Sequence, residues 1–355
     1  MTNAKNGEYH NILVNALVNL GDVVLTSSAI ALLKKAYPQA RITMLARPVV
    51  RQAVENNPVI DEVIIFDYKA KQNSLHKMLD MVKTIKSHHF DLSISFDRKL
   101  RPALLCWLAG IPVRIGPDRV FDDKTSHVTW LYTKTIHIKH NLETNLQAET
   151  YQEIVRGFTG QKDHERPVFA RIMPENEKKA KNLFATLPLN EKRIALCVKG
   201  TFPLKTWPKE YFSKVVDGLS KKYNGEFLYR WRAGDRAYAD EVIADMHVPV
   251  ANFCGQTNLV DLAAVLKQAD LFVTVDTGAT HIAATTGVPM VTMYGCTSPK
   301  RWHPINDNAR VLTTNESCCP CKCRADECPS NPKPHCLWHV TPDMVLDQCY
   351  NLLKK

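Results

Sequence analysis

Short apolar runs separated by amphipathic stretches recur along the whole chain. Asn11–Val18, Arg41–Leu45, Val63–Phe66, Leu92–Phe96 and Val113–Ile115 are brief and rich in Ile, Leu and Val. Runs of that kind read as strands buried on both faces. Val23–Tyr37, Val49–Asn56, Leu75–His88 and the stretch ending at Leu108 carry helical spacing between them. Strand and helix in strict alternation predict a parallel sheet with helices on both faces. Residues 117–145 are irregular and polar and read as a loop, and Asn145–Gly157 reads as a helix that closes this half.

A polar stretch with one proline, Gly160–Val168, marks a boundary. The alternation then repeats, with helices over 175–185, 208–221, 237–246 and 259–268, and strands over 193–198, 226–231 and 250–253. Leu271–Val275 is a further buried strand. It stops at Asp276-Thr277-Gly278, a helix follows over Ala279–Thr286, and Val288–Tyr294 is the next strand. Pro342–Leu353 has the spacing of an amphipathic helix. The predicted class is α/β, with two similar doubly wound halves and a cleft between them. The expected domains are 1–163 and 164–340, with a C-terminal helix in 341–355 packing back towards the first half.

Candidate chemistry falls at strand ends, where open α/β sheets bind ligands. Asp276-Thr277-Gly278 sits in a strand-to-helix turn, and a helix start attracts phosphate through its free N–H groups and dipole. His281 in the first turn of that helix can face the same ligand. Asp and Thr also start helices for structural reasons alone. Asn19-Leu20-Gly21-Asp22 ends the first strand. Gly21 permits close approach of a ligand. Asp22 is placed to act as a base, or to serve as an acid favouring the helix dipole. Lys199–Pro208 (KGTFPLKTWP) offers a Gly-Thr turn with the Thr201 hydroxyl, and Lys205 as a point charge for phosphate. Asp235 follows another strand and suits a ribose hydroxyl pair or a helix cap, and Gly255-Gln256-Thr257 is a loop on the same edge. No GxGxxG, P-loop, GxSxG, HExxH or paired DxD pattern occurs.

The net charge of +10 favours acidic partners. The basic residues are dispersed, which ranks phosphorylated sugars or an anionic lipid surface above nucleic acid. No apolar run reaches the roughly eighteen residues of a membrane span, and the N-terminus lacks the pattern of a signal peptide. Six of the eleven cysteines lie between Cys318 and Cys336. Their spacing admits a structural zinc on Cys318, Cys321, Cys323, Cys328 and Cys336, or a loop of free or occasionally oxidised thiols.

Three segments, NLGDVVLTSSAIALLKKAYP, KTWPKEYF and VDTGATHIAATTGVPMVTMYG, resemble glycosyltransferase family 9, the ADP-heptose:lipopolysaccharide heptosyltransferases. RPALLCWLAGIPVRIG is similar too, and the resemblance runs in order over nearly the whole chain. It implies the GT-B architecture, two Rossmann-like domains with the acceptor bound on the N-terminal side and the nucleotide sugar on the C-terminal side. It implies inverting transfer of heptose from ADP-heptose to the lipopolysaccharide core, with no cofactor or catalytic metal. Asp22 matches the family's base, Lys205 its phosphate lysine, and Asp276, Thr277, Gly278 and His281 its donor segment. Asp235 matches an acidic ribose ligand, although Arg232-Ala233-Gly234-Asp235 departs from the usual glycine-rich form. Gly21, Thr201 and Thr257 complete the expected donor set. Arg98, Lys99 and Arg101 follow an N-terminal strand and are expected to read acidic groups of the acceptor. Asp276 is expected to cap the helix and orient backbone or ribose rather than meet phosphate. The implied location is cytoplasmic, peripheral at the inner face of the inner membrane. A family member with another nucleotide sugar, or an inactive nucleotide- or glycan-binding protein of this fold, fits the same residues.

Overall fold

The computed structural model describes residues 9–68, 74–120, 123–139, 145–186, 192–223, 225–229, 233–314, 316–321, 328 and 335–354. By its contacts the chain divides into two compact units, Met1–Arg171 and Ile172–Lys355. The division falls after Arg171 because the extended segment before it is tied to the first unit. The Val168 N–H donates to Ser27 Oγ at 2.7 Å, and the Arg171 N–H donates to the Asn56 carbonyl at 3.0 Å.

The first unit runs β1 (Asn11–Asn15), α1 (Leu20–Ala36), β2 (Arg41–Ala46), α2 (Arg51–Val54), β3 (Glu62–Ile65), α3 (Ser74–Ser87), β4 (Leu92–Ser95), α4 (Leu100–Leu108) and β5 (Val113–Pro117). A small antiparallel pair follows, β6 (Arg119–Val120) and β7 (Lys124–Thr125), then β8 (Lys134–Ile136) and α5 (Gln147–Thr159). The sheet order is β3-β2-β1-β4-β5-β8, and its strand pairs are all parallel. Residues 117–145 are therefore more than the expected loop, since they supply the sheet's last strand. Ile12, Leu13 and Val14 are fully buried, as strands covered on both faces require. On α1, Thr26, Ser27 and Ser28 are buried, and each hydroxyl donates to the carbonyl three residues earlier. Those bonds satisfy the hydroxyls inside the core while the helix packs against α5.

The second unit begins with α6 (Pro174–Ala185), β9 (Lys192–Cys197), α7 (Lys209–Lys222), β10 (Gly225–Tyr229), α8 (Arg236–Ala244), β11 (Val250–Asn252) and α9 (Leu259–Lys267). It continues with β12 (Leu271–Val275), α10 (Gly278–Thr286), β13 (Met290–Met293), α11 (Pro299–Trp302), β14 (Ala309–Leu312), α12 (His335–Trp338) and α13 (Pro342–Leu353). The order β11-β10-β9-β12-β13-β14 reproduces that of the first sheet. α13 packs on α7 and on β12, β13 and β14, and buries Val345, Cys349, Leu352 and Leu353 in this unit's core. Its apolar face is consumed within the second unit. The Trp207 indole, fully buried, anchors the approach to α13 by donating to the Val340 carbonyl at 2.9 Å.

Candidate active site

Each sheet reverses its strand order once, between β1 and β4 and between β9 and β12. Crevices at the carboxyl ends of such strands are the binding places of doubly wound folds. Most of the candidate residues fall at or beside these two reversals.

In the first unit, α1 begins at Leu20, three residues before the predicted start, so Gly21 and Asp22 lie in its first turn. Asp22 Oδ1 accepts a hydrogen bond of 2.8 Å from the Tyr151 hydroxyl. Tyr151 is buried on α5, with its ring set edge-on to Phe96. Sequence reasoning missed Tyr151, since 129 residues separate it from Asp22 and nothing marks it locally.

At the end of β4 stands a second carboxylate, Asp97, 2 % exposed. Burial pushes its carboxyl above the usual range, against the opposing pull of Lys99 and Arg98. Its Oδ1 accepts from the Lys99 N–H at 3.1 Å, and Lys99 Nζ lies 3.9 Å from Oδ2. The charge-rich spelling DRKLR concealed this acid among its basic neighbours. Lys99 itself is exposed at the N-cap of α4 and Arg98 is half-buried. The Arg101 guanidinium lies 4.3 Å from the ring centre of Tyr68, and Arg47 approaches the same ring at 5.9 Å. Arg47 and Tyr68 also line a small cavity of ≈ 130 Å³ with Pro48, Val49, Phe66 and Asp67. Two cations around one aromatic face suit a planar or anionic group.

In the second unit, the turn after β12 is built on threonines. Thr277 caps α10, with its Oγ1 accepting from the Ala279 N–H at 3.2 Å, and Thr280 Oγ1 returns a bond to the Thr277 N–H at 3.3 Å. Asp276 was expected to cap this helix and does not. Its Oδ2 instead holds Lys205 Nζ at 2.5 Å and the Thr297 hydroxyl at 2.5 Å. The carboxylate is buried and the ammonium nearly so, which makes this a desolvated ion pair at the turn before α10. Gly200 shapes the opposing loop. A Cβ there would lie 2.4 Å from the Lys205 carbonyl oxygen, so the chain closes on itself only with glycine.

The family model for glycosyltransferase family 9 (heptosyltransferase) matches residues 78–331, well over half of the chain. The chain belongs to glycosyltransferase family 9. Lipopolysaccharide heptosyltransferase 3 of Escherichia coli K12 is 26% identical over 296 residues, covering 81% of this chain and 83% of its own. A family 9 glycosyl transferase structure from Veillonella parvula DSM 2008 aligns with a TM-score of 0.84 at 25% identity, over 99% of both chains. E. coli heptosyltransferase WaaC, solved with ADP, aligns with a TM-score of 0.74 at 19% identity, over 96% of this chain and 99% of its own. The architecture is GT-B, and the chain is a glycosyltransferase.

The remaining candidates of this family 9 protein gather around the second reversal in part. Asp235, at the N-cap of α8, makes no capping bond and pairs with Lys199 Nζ at 2.6 Å. Lys199 opens the KGTFPLKTWP loop, and sequence reasoning gave it no role. Thr201 is exposed in that loop. The Thr257 hydroxyl is buried and has no hydrogen-bond partner. His281 is 4 % exposed in the first turns of α10, with its ring edge-on to Trp302. Burial lowers its pKa to about 4, opposed by Asp276 and helped by Lys205 and His303. It is therefore a neutral imidazole at pH 7, with an unpaired Nδ1. A buried polar atom without a partner costs free energy unless a ligand or water satisfies it.

Of the expected thiol set, Cys318 and Cys321 lie together with Cys319, all three sulfurs within 4.8 Å of one another. Cys328 and Cys336 are buried nearby, and Cys323 lies outside the described residues. None of the described cysteines is in a disulfide.

Proposed function

We propose that this glycosyltransferase moves heptose from ADP-heptose to a hydroxyl of the lipopolysaccharide inner core, with inversion and without a catalytic metal. The names of its relatives motivate the substrates: lipopolysaccharide heptosyltransferases among the curated proteins, and an ADP-heptose heptosyltransferase among the solved structures. One observation carries the mechanism. A carboxylate, Asp22, stands in the first turn of α1 after the first strand of one sheet, and a nearly buried cation, Lys205, pairs with Asp276 just before the start of α10 at the reversal of the other.

The acceptor hydroxyl has a pKa far above neutrality. Asp22 takes its proton as the oxygen bonds to the anomeric carbon, while the bond from that carbon to the β-phosphate oxygen breaks. Attack opposite the leaving group inverts the carbon. ADP departs with added negative charge. Lys205 and the start of α10 stabilise that charge in the role a divalent ion plays elsewhere. Asp276 and Thr297 hold the Lys205 ammonium in place. Tyr151 fixes the Asp22 carboxylate. Asp235 receives the ribose hydroxyls, and Arg98, Lys99 and Arg101 meet carboxylates or phosphates of the acceptor.

No helix among the described residues is long and apolar enough to cross a membrane. The net charge of +10 suits peripheral contact with the anionic inner face of the inner membrane, where a lipid-linked acceptor sits.

Calorimetry with ADP, UDP, GDP and CMP in the presence of a chelator tests the donor. Preference for ADP, followed by transfer from ADP-heptose in wild type and binding without transfer in Asp22→Ala, is the expected result. Preference for UDP or GDP moves the donor to another nucleotide sugar. Binding without transfer in wild type makes the protein a nucleotide-binding relative.

A further inference from the structure

The proposed transfer step uses none of the cysteines, yet they form the densest cluster of metal-ligating atoms among the described residues. Cys318, Cys319 and Cys321 place three sulfurs within 4.8 Å of one another. The thiols of Cys319 and Cys336 hydrogen-bond to each other, and Cys336 also interacts with Cys318. Cys336, from a separate part of the chain, thus adjoins the group of three through Cys319 and Cys318, and none of the four is in a disulfide. Packing alone accounts poorly for such a group, because S–H is a weak donor and half-buried sulfurs gain little from one another.

The surroundings connect this cluster to the donor loops. The Cys321 N–H donates to the Cys296 carbonyl at 2.8 Å. Cys296, Cys328 and Leu204 share one small apolar cluster, against which Cys321 packs. Leu204 directly precedes Lys205, and Cys296 directly precedes Thr297, whose hydroxyl binds Asp276. A Cβ on Gly295 would stand 3.1 Å from the Cys336 sulfur, so the same turn leans on the thiol group.

We propose that Cys318, Cys319, Cys321 and Cys336 form a tetrathiolate site for a thiophilic divalent metal, zinc in the first instance, which braces the loops carrying Lys205 and Thr297. Thiolates at this density select zinc or iron over hard cations, and four ligands with no open position make a structural rather than a catalytic site. Each ligating thiol releases its proton to solvent as the metal–sulfur bond forms, with no change in oxidation state. The bracing role rests on the donor reading of Lys205, whereas the metal site does not.

The full chain, purified under reducing conditions without chelator, is expected to carry about one zinc per molecule by elemental mass spectrometry. Cobalt replacing it gives the sulfur-to-cobalt charge-transfer absorption of a thiolate site, and Cys319→Ser with Cys336→Ser abolishes that absorption. Removing the metal weakens ADP binding about tenfold, the equivalent of ordering roughly one loop residue. Absence of bound zinc or iron, together with no thiolate–cobalt absorption in the wild-type chain, overturns the site. That readout stands even where the serine variants fail to fold. Iron in place of zinc retains the site and changes its metal. A metal that persists unchanged in both serine variants overturns the ligand set. Unchanged ADP affinity after metal removal overturns the bracing role. Failure of the metal-loaded chain to bind ADP counts against the donor reading instead.

Discussion

The Lys205 ammonium and the Asp276 carboxylate meet at 2.5 Å although 71 residues separate them in sequence. Asp276 is thereby the anchor of that cation, and Thr277 takes the helix cap. Lys205→Ala removes one partner of a desolvated pair and leaves a buried carboxylate. It is expected to cost about 3 kcal/mol of stability in denaturant unfolding, and to lower kcat by roughly a hundredfold or more. Lys205→Ala combined with Asp276→Asn should recover stability and not kcat. Loss of neither quantity in the single variant would remove Lys205 from the donor site.

Asp22→Asn is expected to lower kcat/KM by about 100- to 10,000-fold with ADP affinity intact. Tyr151→Phe removes the hydroxyl that holds the carboxylate and should lower kcat roughly tenfold while sparing donor KM. Initial-rate kinetics checks both. A Tyr151→Phe variant with wild-type kcat would reduce the tyrosine to a packing residue.

His281 gives the protein a pH signature. Its pKa falls from 6.5 to about 4 on folding. Between those values the unfolded chain binds the proton that the folded chain refuses, so stability is complete above pH 6.5 and is lost as pH falls towards 4. The loss is on the order of 3 kcal/mol from this residue. Unfolding of His281→Gln measured across that range should show a flatter dependence, and an unchanged slope would place the titration elsewhere.

Asp97 carries the opposite sign. Burial raises its carboxyl pKa, so the charged form destabilises the fold as pH rises past the ordinary carboxylate range. Asp97→Asn is expected to raise Tm at pH 7. If this carboxylate also meets acceptor hydroxyls, the same variant raises acceptor KM. A lower Tm would show that the charge is better compensated than its surroundings indicate.

Arg98→Ala with Arg101→Ala should raise acceptor KM severalfold and leave donor KM in place. Equal effects on both constants would mean that these residues support the fold rather than read the acceptor.

Much of this was legible in the sequence. The buried run into Asp276-Thr277-Gly278 and the small residues of α10 announced a strand-turn-helix unit, and the structure has it at β12 and α10. The Pro342–Leu353 helix appears with the predicted ends, but its periodicity carried no information about which unit it covers. β8 and β14 escaped because they are short edge strands without a continuous buried face. The partners of the site residues were illegible for a different reason. Tyr151 for Asp22, Lys199 for Asp235 and Thr297 for Asp276 are chosen by tertiary packing across 129, 36 and 21 residues, and leave no local spacing to read.

The two sheets share one strand order, and each has a core of its own. On the proposed function, recognition of the two substrates is divisible. Substitutions around Tyr68 and Asp97 are then expected to retune one substrate while the Lys205–Asp276 pair stays untouched, and the reverse is expected too. A chimera joining the first half of one family 9 enzyme to the second half of another should inherit its acceptor from the former and its donor from the latter.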